Sequence, residues 1–198
     1  MKGLRKSIAL AAVAAALAIT LAACGGTSGG SGSGSGEKTT YTNGVYGFTI
    51  TYGDPLSQVN LTPSGGEKYA IAFADKDGPL VDDQYANGLR VSVHDMGQTI
   101  KPADVPKLQA QLTKALTKMV AAITDGKLTG KVTPLELNGT PGFSVDYQFT
   151  KGGEQLTCRL TILVKGKYEY DLTEQTVAKD WDSLSGTLDE TVQTFTLD

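Results

Sequence analysis

The chain has 198 residues, 20% of them charged, and a formal charge of −3 at pH 7. That weakly acidic balance leaves no basic footprint for nucleic acid. It holds two cysteines and one histidine.

Lys2, Arg5 and Lys6 precede an uncharged stretch from Ser7 to Cys24 that is mostly Ala, Leu, Ile and Val. A positive start followed by an apolar run shorter than a membrane-spanning helix reads as an export signal. The stretch closes on Leu21-Ala22-Ala23-Cys24, which resembles the bacterial lipobox: a branched apolar residue, two small residues, and the cysteine whose sulfur takes the lipid. The resemblance implies a signal peptide over 1–23, a diacylglyceryl group on Cys24, and a chain held on the extracytoplasmic face of a membrane. Gly25 follows the cysteine, so an inner-membrane retention Asp is absent there. Removing the signal takes away three cations and no acid, which moves the formal charge from −3 to −6. With Cys24 lipidated, Cys158 is left without a disulfide partner, and the fold must rest on its core.

Residues 24–37 comprise Cys24 and a Gly/Ser tether with no apolar side chain beyond it. Such a coil spans about 20 Å by random-flight scaling and buries nothing. Residues 38–198 then supply one domain, large enough to bury about two thirds of its unfolded surface.

The domain opens with Tyr46, Phe48, Ile50 and Tyr52 on one face of a strand. Two more strands are expected around 69–74 and 89–96. From Val105 the apolar residues Leu108, Leu112, Leu116, Met119, Val120 and Ile123 recur at three and four, which predicts a helix. Asp104 is its expected N-cap, Pro106 falls in its first turn, and Asp125-Gly126 stops it. Phe143, Val145, Tyr147 and Phe149 then alternate with polar residues, as do Leu156, Cys158, Leu160, Ile162 and Val164. A two-residue turn at Gly152-Gly153 would pair Lys151 with Glu154, Phe149 with Leu156, Tyr147 with Cys158, and Asp146 with Arg159. A tight turn at Lys165-Gly166-Lys167 leads to a third strand, expected to set Tyr168, Tyr170 and Leu172 on the same apolar face. A last helix is predicted from Val177, with Trp181, Leu184, Leu188 and Val192 inward and Gly186 weakening it, before Phe195. The class is α+β: an antiparallel sheet packed with helices.

These elements resemble the PsbP-like family, an α/β/α sandwich. Its members include the PsbP subunit of photosystem II, a nuclear-transport factor that binds the small GTPase Ran, and bacterial envelope lipoproteins. The resemblance is carried by Tyr46-Gly47-Phe48, by Gly139-Thr140-Pro141-Gly142, and by Tyr168-Glu169-Tyr170-Asp171-Leu172-Thr173 with Trp181 and Phe195-Thr196-Leu197. It covers nearly all of 41–198. The chain departs from the family pattern at Gly53-Asp54-Pro55-Leu56, where a Pro and a Trp are common. The resemblance implies a protein that works by binding partners, with no shared chemistry and no functional residue to carry over.

The residues themselves agree. His94 is the sole histidine and reads as a partly exposed structural residue; no G-x-S-x-G elbow accompanies it, so a hydrolase is the least favoured reading. Cys158 alternates with Leu156 and Leu160 and reads as buried. Asp75, Asp77, Asp82 and Asp83 lack the EF-hand spacing and read as turn residues. No metal or cofactor is expected. The polar face of the meander gives the sharpest site: Arg159 opposite Asp146 and diagonal to Asp171, either a binding face or a structural cluster beneath the first helix. The expectation is a lipid-anchored binding or scaffolding module for an envelope protein or small ligand. An accessory subunit of an envelope transport system is the alternative.

Overall fold

The computed structural model describes residues 38–198, so the expected signal, Cys24 and tether lie outside the described residues. The elements are β1 (Thr39–Asn43), β2 (Phe48–Tyr52), β3 (Leu56–Asn60), β4 (Glu67–Asp75), β5 (Leu80–Val81), β6 (Gln84–Tyr85) and β7 (Gly88–Ile100). There follow a 3₁₀ segment (Pro102–Leu108), α1 (Gln109–Val120), β8 (Lys127–Leu128), β9 (Thr133–Leu137), β10 (Thr140–Lys151), β11 (Glu154–Val177), a 3₁₀ turn (Ala178–Asp180), α2 (Trp181–Gln193) and β12 (Thr196–Leu197). The main antiparallel sheet runs β3-β4-β7-β11-β10-β8, with β9 also on β10; β1-β2-β12 form a smaller sheet, and β5-β6 a hairpin.

The β10–β11 register is the expected one, with Lys151 facing Glu154, Phe149 facing Leu156, Tyr147 facing Cys158 and Asp146 facing Arg159. Gly152 and Gly153, at φ 55° and 81°, make the turn, as a primed hairpin turn requires. β11 is then a long ribbon that doubles back. Cys158 Sγ and Gln175 Oε1 lie 3.9 Å apart although 17 residues separate them, a stretch that would span about 55 Å if straight. The reversal falls at Gly166, at φ 63°.

This reversal changes which residues share a face. Setting Cys158 level with Gln175 puts Val164 level with Glu169, so even-numbered residues switch sides between the two arms. Leu156, Cys158, Leu160, Ile162 and Val164 enter one core with α1's Leu112, Leu116 and Val120. Tyr170 and Leu172 enter another, with Phe48, Ile50, Phe73, Val91, Leu188, Val192 and Phe195; Tyr168 packs against it. The expectation that Tyr168, Tyr170 and Leu172 share the face of Leu160 is therefore corrected: the turn centres on Gly166-Lys167, one position later than a symmetric reading assumes. The sheet is covered on both sides, by α1 on one and by α2 with the small sheet on the other.

Both helices start later than their apolar spacing suggests. Pro106 has no N–H and crowds the preceding turn, so Pro102–Leu108 winds as 3₁₀ before α1 begins, and Asp104 pairs with Lys107 rather than capping a helix. At the end of the chain, Ala178–Asp180 form a 3₁₀ turn and α2 begins at Trp181. Gly186 stays within α2. Leu188, Thr191 and Val192 are its buried residues, while Trp181 and Leu184 are half-buried.

Candidate functional site

Charged side chains gather at two places, one on each face of the main sheet. On the α2 face, Arg159 Nε donates to Asp146 Oδ1 at 2.9 Å and Nη1 donates to Asp189 Oδ1 at 2.7 Å. The guanidinium carbon lies 5.6 Å from the centre of the Trp181 ring. All three charged groups are partly open to solvent, with side chains 30%, 44% and 46% exposed for Arg159, Asp146 and Asp189. Glu174 is fully buried beside them. Its carboxyl is pushed up to about 8, first by burial and then by Asp189, with Arg159 pulling the other way. The arrangement clamps α2 to the sheet, so this face is crossed by the second helix and not the first.

Asp171 is absent from that cluster. The reversal at Gly166 turns it to the other face, where it is 2% exposed. The expected Asp146–Arg159–Asp171 grouping is thus divided: Asp146 and Arg159 meet, and Asp171 joins Glu67, Arg90, His94 and Glu169. Glu67, His94 and Glu169 stand level across β4, β7 and β11, and Asp171 stands level with Ser92. A bulge between Glu67 and Tyr69 brings Glu67 into this row. Arg90 Nη2 lies 2.7 Å from Oε1 and 2.8 Å from Oε2 of Glu67. Ser64 N donates to Oε2 at 2.9 Å. His94 Nε2 lies 3.5 Å from Asp171 Oδ2.

Three carboxylates face one guanidinium and one imidazole here, and every member is buried. Among the described residues, both oxygens of Glu169, Asp171 Oδ1, His94 Nε2 and Arg90 Nε have no hydrogen-bond partner. Burial pushes Glu169 up to about 7. Burial, then the neighbouring Glu169 and Glu67, holds Asp171 well above the usual carboxylate range against the pull of Arg90. Burial lowers His94, with Glu67 opposing and Arg90 adding. Both shifts favour the uncharged forms, the acid for Asp171 and the neutral imidazole for His94. His94 is fully buried and not partly exposed as its strand position suggested, because this face of β7 is covered too. The cluster's chemistry is to hold protons inside the sheet. No group of three or more His, Cys, Asp or Glu side chains among the described residues is placed to hold a metal ion.

The acid-rich stretch is explained by its turns. Asp75 Oδ1 accepts from Asp77 N at 3.2 Å, and Asp82 and Asp83, at φ 50° and 59°, are the two central residues between β5 and β6. Cys158 is fully buried, and burial raises its thiol beyond reach of ionisation. An open cleft of about 390 Å³ lies at the β10–β11 turn, walled by Ile123, Thr124 and Phe149 with Lys151 at its rim.

No family model matches the chain, and no curated protein matches its sequence. Solved structures do match its fold. The solution structure of cyanobacterial PsbP from Synechocystis sp. PCC 6803 superposes with a TM-score of 0.59 at 15% identity, covering 87% of this chain and 98% of that one. The fold is PsbP-like. A second PsbP-like match is the crystal structure of LpqN, involved in cell envelope biogenesis of Mycobacterium tuberculosis. It has a TM-score of 0.52 at 13% identity and covers 81% of this chain and 90% of that one. Identities this low carry the fold and no residue roles. No helix among the described residues is long and apolar enough to cross a membrane.

Proposed function

We propose that this chain is a membrane-tethered binding module of the cell envelope, anchored through a lipid on Cys24 and acting by contact with an envelope protein or small ligand without turnover. The observation that carries the reading is the order of its parts. Leu21-Ala22-Ala23-Cys24 is followed at once by a Gly/Ser run, which feeds the first strand of a PsbP-like domain at Thr39. A diacylated cysteine holds a protein stably at a membrane, and a Gly/Ser composition suits a tether between anchor and domain. The fold's likeness to a structure involved in envelope biogenesis supports the same address.

Arg159, with both of its bonded arms committed to Asp146 and Asp189, serves as a clamp in this reading, so a partner meets other surface. The test is growth with labelled fatty acid followed by purification. Label on the wild-type protein and none on Cys24→Ser is expected, together with release of that variant from membranes. A wild-type protein recovered unlabelled and outside the membrane fraction overturns the reading. Crosslinking of the anchored protein in cells then identifies what it touches.

A further inference from the structure

One strand of the small sheet has an unguarded edge. β1 pairs with β2 alone, and no other element among the described residues bonds to its backbone. Thr39, Thr40 and Thr42 are exposed. A free strand edge is a template for another strand, and proteins blunt such edges with charges, prolines, bulges or brevity. Other edges follow that rule: β9 carries Pro134 and Glu136, and β8 is two residues long. β3, at the far edge of the main sheet, reads Leu-Ser-Gln-Val-Asn with no charge or proline inside it, and it lacks the near-symmetry that β1 has. Lys165 Nζ reaches the Leu197 carbonyl of β12 at 3.1 Å. β1 reads Thr-Thr-Tyr-Thr-Asn, with no charge, proline or bulge, and threonine is a strong strand former.

We propose that two copies of this chain pair antiparallel through β1. The strand is close to symmetric about Tyr41. A pair centred there sets Tyr41 against Tyr41 of the second copy, Thr40 against its Thr42, and Thr39 against its Asn43. Cross-strand threonine pairing already operates within one copy, where Thr40 and Thr51 hydroxyls lie 3.0 Å apart and those of Thr42 and Thr49 lie 3.1 Å apart. The joined sheet continues these rows across the two-fold axis. Tyr41 is held in place for this by its hydroxyl contact with Tyr69 and by rings of Phe48 and Phe73, each centred 6.0 Å away. A two-fold contact of this kind closes as a dimer and leaves no free edge at β1.

The geometry suits two anchored chains. An antiparallel pair of five-residue strands is about 17 Å long, so the tethers leave at opposite ends. The 14 residues between Cys24 and Thr39 reach up to about 50 Å when extended, enough for both to meet one membrane. Anchoring would raise the local concentration, but the pairing itself rests on the strand edge and not on the lipid.

The test is the oligomeric state of the full-length protein by analytical ultracentrifugation, read alike whether it is recovered from membranes in mild detergent or from the medium. The wild type is expected to be a dimer. Thr40→Lys/Thr42→Lys sets like charges opposite one another twice across the axis and is expected to weaken the dimer at least about tenfold. Thr40→Lys/Thr42→Glu sets each introduced lysine opposite a glutamate of the second copy and is expected to restore it. Both side chains are exposed, and a thermal melt confirms that each variant folds. A wild type that stays monomeric at about 100 µM overturns the proposal. So does a dimer indifferent to the double lysine, or a charge-swapped variant no better than it.

Discussion

Arg90 and Arg159 stand on opposite faces of the same sheet, and each meets carboxylates at 2.7–2.9 Å. Their surroundings differ. Arg90 is 3% exposed, and water reaches none of its partners freely; Arg159 and its two acids are each at least 30% exposed. In the dry cluster, desolvation exceeds what one guanidinium returns, so Glu169 and Asp171 are pushed up. In the wet cluster solvent shares the charge of Arg159 and its two acids, while burial pushes the neighbouring Glu174 up. Bond length alone does not rank the two pairs; access to water does.

The largest expected effect tests the dry side. Arg90→Met leaves Glu67, Glu169 and Asp171 without a permanent cation, and the loss in urea denaturation at pH 7 is expected to be about 3–5 kcal/mol. The loss should shrink at pH 5, where more of the carboxyls hold protons. A loss no greater than that of Arg159→Ala would remove the contrast.

Glu169→Gln comes next and is read against pH. Glu169 binds its proton up to about pH 7 in the folded chain, against an ordinary 4.5. The folded state thus holds more protons than the unfolded one between these values, and stability is full below 4.5 and falls as pH rises through 7. His94, lowered by burial, acts in the opposite sense and costs stability as pH falls below 6.5. The glutamine removes the carboxyl's share, on the order of 3 kcal/mol, so thermal melts from pH 5 to 8 should flatten, with the variant above the wild type at pH 8.

Arg159→Ala is expected to cost about 1–2 kcal/mol through the lost pairs and the Trp181 contact, with less cost in molar salt. Lys167→Ala, which frees Asp95 from an exposed 3.1 Å pair, should stay within about 0.5 kcal/mol in the same melts.

Strict alternation and a Gly-Gly turn made the β10–β11 hairpin legible in the sequence down to each pair, Asp146 with Arg159 included. The same logic failed one turn later. A single position in the placement of the Gly166 turn decides which face Asp171 occupies, and Lys165-Gly166-Lys167 holds no residue that fixes it. The dry cluster was missed for another reason. Arg90, Ser92 and His94 alternate with apolar residues as a solvated face does, but a sheet covered on both sides buries that face as well. The usable signal was density: Glu169, Asp171 and Glu174 lie in an otherwise apolar and threonine-rich arm, too long and too buried to have a wet side. β1 escaped notice because a threonine-rich strand shows no apolar period, and β12 because it is two residues long and its partner, β2, lies far back in the chain.

That last pairing sets an order of events. β12 lies along β2, Asp198 N donates to Gly47 O at 2.9 Å, and Phe195 stacks on Phe48 at 5.3 Å. A polypeptide delivered amino end first holds its first hairpin waiting, since the lid for Phe48 comes only after the main sheet and both helices. The small sheet is therefore a late-closing part of the molecule, and any chain continuing past Asp198 emerges beside Gly47, at the start of β2.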